Sequence, residues 1–241
     1  MLQPGQPITP IHRLAALIEV ILCSGFPTQV ALIIALRGLG FEMQTPDGGL
    51  SPAFIFTLSL LDAALILGFV FLFLRSHREP ARQVLLGWRP PLREAAVGIA
   101  FLPFVFVVVV VILGLILTIA PQLHNVPRNP LEDLLSTRTD AFIFAVVVMV
   151  AGGVREEVQR GFILHRFGEY LGGMPVGLAV HSVLFGLGHL EQGYDAAIAT
   201  AVLGLLWGLL FIARRSIVAP MVSHAGFNLL QLVKFLVGVR A

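Results

Sequence analysis

Apolar residues in this chain come in long unbroken stretches rather than in the alternation of a half-buried strand or the stripe of a surface helix. The stretches fall at about 14–36, 54–74, 96–120, 141–167, 196–213 and 217–237. A helix rising 1.5 Å per residue needs roughly 20 apolar residues to cross about 30 Å of hydrocarbon, so each is expected to be a transmembrane helix. A shorter run at 175–190 lies between Gly-rich joints and is read as a seventh helix, because the chain then alternates sides correctly. An eighth segment, re-entrant or made by splitting a long run, stays open. Pro27 and Pro103 fall inside runs and are expected to kink them. No internal repeat, low-complexity tract or long polar segment interrupts the pattern. The expectation is an all-α fold, a polytopic transmembrane helix bundle forming a single integral membrane domain over residues 1–241.

Composition sharpens this picture. Of the 241 residues 57% are hydrophobic and 12% charged, with a mean hydropathy of +0.90, whereas a water-soluble domain carries roughly 25% charged residues. Fifteen of the sixteen basic residues are arginines, and they cluster between apolar runs, as cytoplasmic flanks do, rather than on a nucleic-acid surface. The joint from Arg75 to Arg93 holds five arginines against one acid, Glu79. The positive-inside rule therefore puts it, the N-terminus, Arg166 and the Arg214–Arg215 pair in the cytoplasm, in a protein expected in the plasma membrane. Met1 to Ile11 lacks the basic, apolar and small-residue order of a removable signal peptide. The single cysteine, Cys23, excludes an intrachain disulfide and is read as a packing residue.

Ionisable groups inside a span are costly unless they face a protein interior or a wet cavity, which makes each a functional candidate. The fourth run carries Arg155, Glu156, Glu157 and Arg160; the fifth carries Phe185 and His189; the last carries His224 and Asn228. Glu156 and Arg160 stand four residues apart on one helical face, as do His224 and Asn228. Counted from the inner helix ends, Glu156 lies about 17 Å deep, His189 about 21 Å and His224 about 10 Å. Three helices thus bring two acids, two histidines and an amide to middle depth, too many costly groups for packing alone.

In these residues the chain resembles the type II CAAX prenyl endopeptidases and their bacterial relatives, the ABI or CPBP intramembrane proteases. Their motifs, in order along the chain, are Glu-Glu-x-x-x-Arg, Phe-x-x-x-His and His-x-x-x-Asn/Asp. Phe185 with His189 fits the second, and His224 with Asn228 the third. The first departs, since Glu156-Glu157 is followed by Arg160 after two residues instead of three. Aligned on Arg160-Gly161, the family's first Glu is replaced by Arg155 and its second falls on Glu156. The resemblance covers about 140–230, read as the catalytic core.

It implies an intramembrane endopeptidase that hydrolyses a peptide bond near a membrane-anchored or prenylated terminus. Its partners would be a membrane-embedded or lipidated substrate and the bilayer, with no nucleic acid. Glu156, Glu157, Arg160, His189, His224 and Asn228 are then the catalytic set. A carboxylate held away from water suits a general base or acid, His189 holds the same water, and His224 and Asn228 present donors to the oxyanion. Glu156 is expected to be the base, since it is a family glutamate under either alignment and shares a face with Arg160; Glu157 is expected to steady the site.

The same residues offer a second chemistry, because a Glu and two His make a zinc shell with an open position. Metal-free chemistry is favoured, since no His-Glu-x-x-His occurs and an amide is a poor zinc ligand. Two other functions share the pattern: a non-catalytic immunity or scaffold protein of the same fold, and a proton-coupled transporter, against which speaks the lack of paired repeats. Glu19, Asp62 and His181 are read as packing or supporting residues. His165, Arg166, Glu169 and Tyr170 are read as an interfacial anchor, Trp88 and Trp207 as belt or core residues, and Glu191 with Asp195 as the outer loop.

Overall fold

The computed structural model describes residues 8–135 and 137–236. The first seven residues, on which the signal-peptide reading partly rests, and the end of the last apolar run beyond 236 lie outside them. Nine α-helices are described: α1 Pro10–Leu22, α2 Phe26–Gly38, α3 Pro52–Ser76, α4 Pro91–Ile119, α5 Arg138–Val147, α6 Glu156–Tyr170, α7 Met174–Leu187, α8 Tyr194–Arg214 and α9 Val218–Leu236. Among the described residues there is no strand, only one isolated bridge between Gln44 and Leu50. The protein is an all-α membrane bundle. By length and composition α3, α4 and α8 each suffice to cross a membrane, and α1 with α2 make a fourth, while α7 and α9 are shorter apolar helices. Over their described residues all seven apolar runs are thus helical, though they are unequal in length.

Two runs are not the simple helices that the pattern predicts. The first breaks at Cys23–Gly25 and turns by 44° between α1 and α2. Gly25 sits at φ +89°, open to a residue without Cβ, and Pro27 falls in the first turn of α2, where its missing N–H costs nothing. The Gln159 amide donates to the Cys23 carbonyl at 2.7 Å, satisfying a backbone group freed by the break. The fourth run is a composite, α5 leading through a π-helical stretch, Val148–Arg155, into α6. Pro103, in contrast, lies within α4, which continues through it.

Lipid tails are as apolar as Leu, so helices associate in a membrane through close packing and polar ties. α7 lies along α8 and α4 along α9. Small residues line both seams: a methyl group added at Gly186 would come within 2.6 Å of the Ala197 carbonyl, and one at Gly98 within 2.4 Å of the Ala219 carbonyl. The charged groups tie one end of the bundle together. Arg214 gives two hydrogen bonds to Glu94, at 2.9 and 2.6 Å, and the Ile217 N–H donates to the Leu85 carbonyl at 2.8 Å. Arg166 is wholly buried, donating to Glu19 at 2.5 Å and to Glu79 at 2.7 Å, with His77 2.6 Å from Glu19. Arg166 is therefore not an interfacial anchor. Glu19 and Asp62 serve helix packing; Asp62 pairs with Arg155 and accepts from Thr28 at 2.5 Å.

Glu79 lies in the joint after α3. Burial raises its carboxyl, but the His165 ring 3.3 Å away and the hydrogen bond and charge of Arg166 outweigh this and bring it from an ordinary 4.5 to about 2. A depressed folded-state pKa stabilises the fold above the unfolded value and ceases to do so as pH falls through the folded one. The melting temperature of the purified protein is therefore expected to exceed that of Glu79→Gln by a constant margin above about pH 4.5, a margin that closes as pH falls toward about 2. A margin that stays constant over that range would contradict the pairing.

Candidate active site

The π-helical stretch and α9 meet at a pair of glycines. At Gly152 an added methyl would come within 2.6 Å of the Asn228 Nδ2, and at Gly153 within 2.8 Å of the Ala225 Cβ. Without side chains there, α9 approaches closely enough to set His224 against the start of α6. His224 Nδ1 lies 2.8 Å from Glu157 Oε1. A carboxylate only accepts, so Nδ1 carries the proton and the Nε2 edge is turned toward Glu156, 3.6 Å from its Oε2. Trp207 fixes the plane of the ring, stacking on it at 3.8 Å between centroids and 19°. Its own indole N–H donates to the Ser223 hydroxyl at 3.2 Å.

The two glutamates have different surroundings. Glu157 is 1% exposed, and Arg160, fully buried, pairs with its Oε1, the oxygen that also accepts from His224. Arg160 shares a helical face with Glu156 but pairs with Glu157. Residues three and four apart are both neighbours on a helix, and Arg160 turns to Glu157, against the Phe185 and Trp207 rings at 5.1 and 5.7 Å. Glu156 has Arg155 as its neighbour, at 3.7 Å, and that guanidinium is drawn mainly to Asp62. Glu156 is the less buried of the two, with its side chain 17% exposed.

His189 does not sit on a helix. α7 ends at Leu187, and His189 stands in the following turn, where Nδ1–H donates to the Phe185 carbonyl at 2.8 Å. That bond leaves Nε2 to accept a proton. Glu156, Phe185 and His189 line two cavities at once. One, of about 360 Å³, also takes in His224, Asn228, Trp207 and Gly152 and runs on to Asn129, Glu132 and Gln192. The other, of about 110 Å³, is lined by Ser24, Arg155, Gln159 and His181 among others. The structure thus gathers Glu156, His189, His224 and Asn228 on one space, and sets Glu157 and Arg160 behind it. Among the described residues no three His, Cys, Asp or Glu side chains converge as a metal ion requires. Trp207 and Phe185, which fix the rings and cover Arg160, carry no spacing signal of their own beyond the Phe185–His189 motif.

An all-α membrane bundle with acid, base and amide side chains turned inward onto a shared cavity is the class that fold and site define. Within it, residues 138–230 match the family model described as type II CAAX prenyl endopeptidase Rce1-like, a segment that holds every one of the six candidate residues. No curated protein and no solved structure matches the chain.

The glycine pair gives a test of the geometry. Ala favours a helix interior over Gly by up to about 1 kcal/mol, so a gain is the default. Gly153→Ala is instead expected to lower the melting temperature, because it presses on the α9 backbone near Ala225. Gly152→Ala is expected to change it little, since only the end of the Asn228 side chain must give way. Stabilisation by both changes would show that α9 does not pack as described.

Proposed function

We propose that the protein is an intramembrane endopeptidase in which Glu156 activates water for attack on a peptide bond of a membrane-anchored substrate. A water held between the Glu156 carboxylate and His189 Nε2 gives its proton to Glu156 as its oxygen adds to the scissile carbonyl. The Asn228 amide donates to the oxyanion that forms, and His224, its Nδ1–H given to Glu157, stands on the same cavity. Collapse of that intermediate breaks the C–N bond, and the proton on Glu156 passes to the leaving amine. Glu157, Arg160 and Trp207 hold His224 in place and are positioning residues. The observation that supports this reading is the division of labour between neighbouring acids: Glu157 is committed to Arg160 and His224, whereas Glu156 faces both cavities beside His189.

Purified protein assayed on membrane-anchored peptides, prenylated and unmodified, tests this. Glu156→Gln, His189→Ala and His224→Ala are each expected to lower kcat by about two orders of magnitude or more, with the melting temperature kept. Normal turnover by any of the three on a verified substrate would refute the assignment. Turnover is expected to persist in the presence of a strong zinc chelator. Loss under the chelator with recovery on adding zinc would assign the same donors to a metal centre instead.

A further inference from the structure

We infer that the cavity opens to the non-cytoplasmic side of the membrane, so that the substrate is a polypeptide whose scissile segment has crossed the membrane while its anchor remains in it. This rests on the protease reading above and adds the side from which the site is reached. The basic joints are far apart in sequence, yet the fold brings them to one end of the bundle. Glu94 at the start of α4 binds Arg214 at the end of α8, Arg166 near the end of α6 binds Glu79 of the α3–α4 joint, and Leu85 binds the backbone of Ile217 before α9. Eight arginines belong to this end: Arg75, Arg78, Arg82, Arg89, Arg93, Arg166, Arg214 and Arg215.

The joints at the other end are 39–51, 120–137 and 188–193. They and the adjoining helix ends carry Arg37, Arg128 and Arg138 against the acids Glu42, Asp47, Glu132, Asp133, Asp140, Glu191 and Asp195. Adding Lys234 and Arg240 from the chain's last residues leaves the arginine excess on the first end. The positive-inside rule counts basic residues near span ends, and here it puts the arginine-rich end in the cytoplasm.

The cavity of about 360 Å³ reaches the surface away from that end. Its outer lining is Asn129, Leu131 and Glu132, from the joint after α4, and Gln192, from the joint after α7, with Asn129 and Gln192 3.4 Å apart across it. α4 starts at the arginine-rich end and is 29 residues long, about 43 Å at helical rise, which carries this joint to the opposite face. From there the cavity descends to Glu156 and His224. Nothing in the arginine-rich joints lines it.

The test uses the full chain in membranes of intact cells, with Cys23→Ala as background so that a single introduced cysteine reports. Gln192→Cys at the mouth is expected to react with a membrane-impermeant maleimide in intact cells, and Gln83→Cys in the arginine-rich joint only after the cells are opened. Two single-span reporters are then co-expressed, one carrying the scissile segment outside and one inside, and only the first is expected to be cleaved. Labelling of Gln192→Cys only in opened cells, or cleavage of the inside reporter alone, would overturn the inference. Outside labelling with neither reporter cleaved would remove the outside substrate from it and, with the purified protein inactive, the protease reading as well. Outside labelling with neither reporter cleaved but an active purified protein would remove only the substrate.

Discussion

A guanidinium with no access to water must be neutralised where it stands, and that requirement at Arg160 organises the centre of this protein. Its carboxylate partner is Glu157, three residues back on α6, and the same oxygen takes the His224 N–H from α9. An uncompensated buried charge costs several kcal/mol, so α6 and α9 are held in one relative position, which the two glycines of the π-helical stretch make sterically available. Trp207 from α8 then covers both the imidazole and the guanidinium. Four elements converge because one cation has to be satisfied, and Glu156 is left as the acid turned to the cavity.

The same logic recurs away from the centre. Arg155 is answered by Asp62 of α3, Arg166 by Glu19 of α1 and Glu79 after α3, and Arg214 by Glu94 of α4. Each tie joins elements distant in sequence, where lipid provides no hydrophobic drive for helices to associate. The polar residues of this chain thus divide into ties that build the bundle and the few that face its cavities.

The helices were legible because the bilayer demands long apolar runs, and Pro27 placed the first break to within a few residues. The candidate residues were legible because charge in an apolar run is conspicuous. Their pairing was not. Spacing offers Arg160 both Glu156 and Glu157 as neighbours, and His224 from 67 residues away tips the choice. Arg166 resembled an interfacial anchor because its partners lie 147 and 87 residues away. The π-helical stretch left no trace in a run of small and apolar residues, and Trp207 passed as a core aromatic because stacking on an imidazole has no sequence period.

The central claim is that the Glu156 carboxylate makes water, and not itself, the nucleophile. Single-turnover cleavage of a membrane-anchored peptide in ¹⁸O-enriched water reads this directly, by mass spectrometry of the newly formed carboxyl end. General-base attack puts one ¹⁸O atom into the product on the first turnover. A first-turnover product free of ¹⁸O, with the label appearing only in later rounds, would mean that an enzyme carboxylate attacks and forms a covalent acyl intermediate, contradicting the role assigned to Glu156.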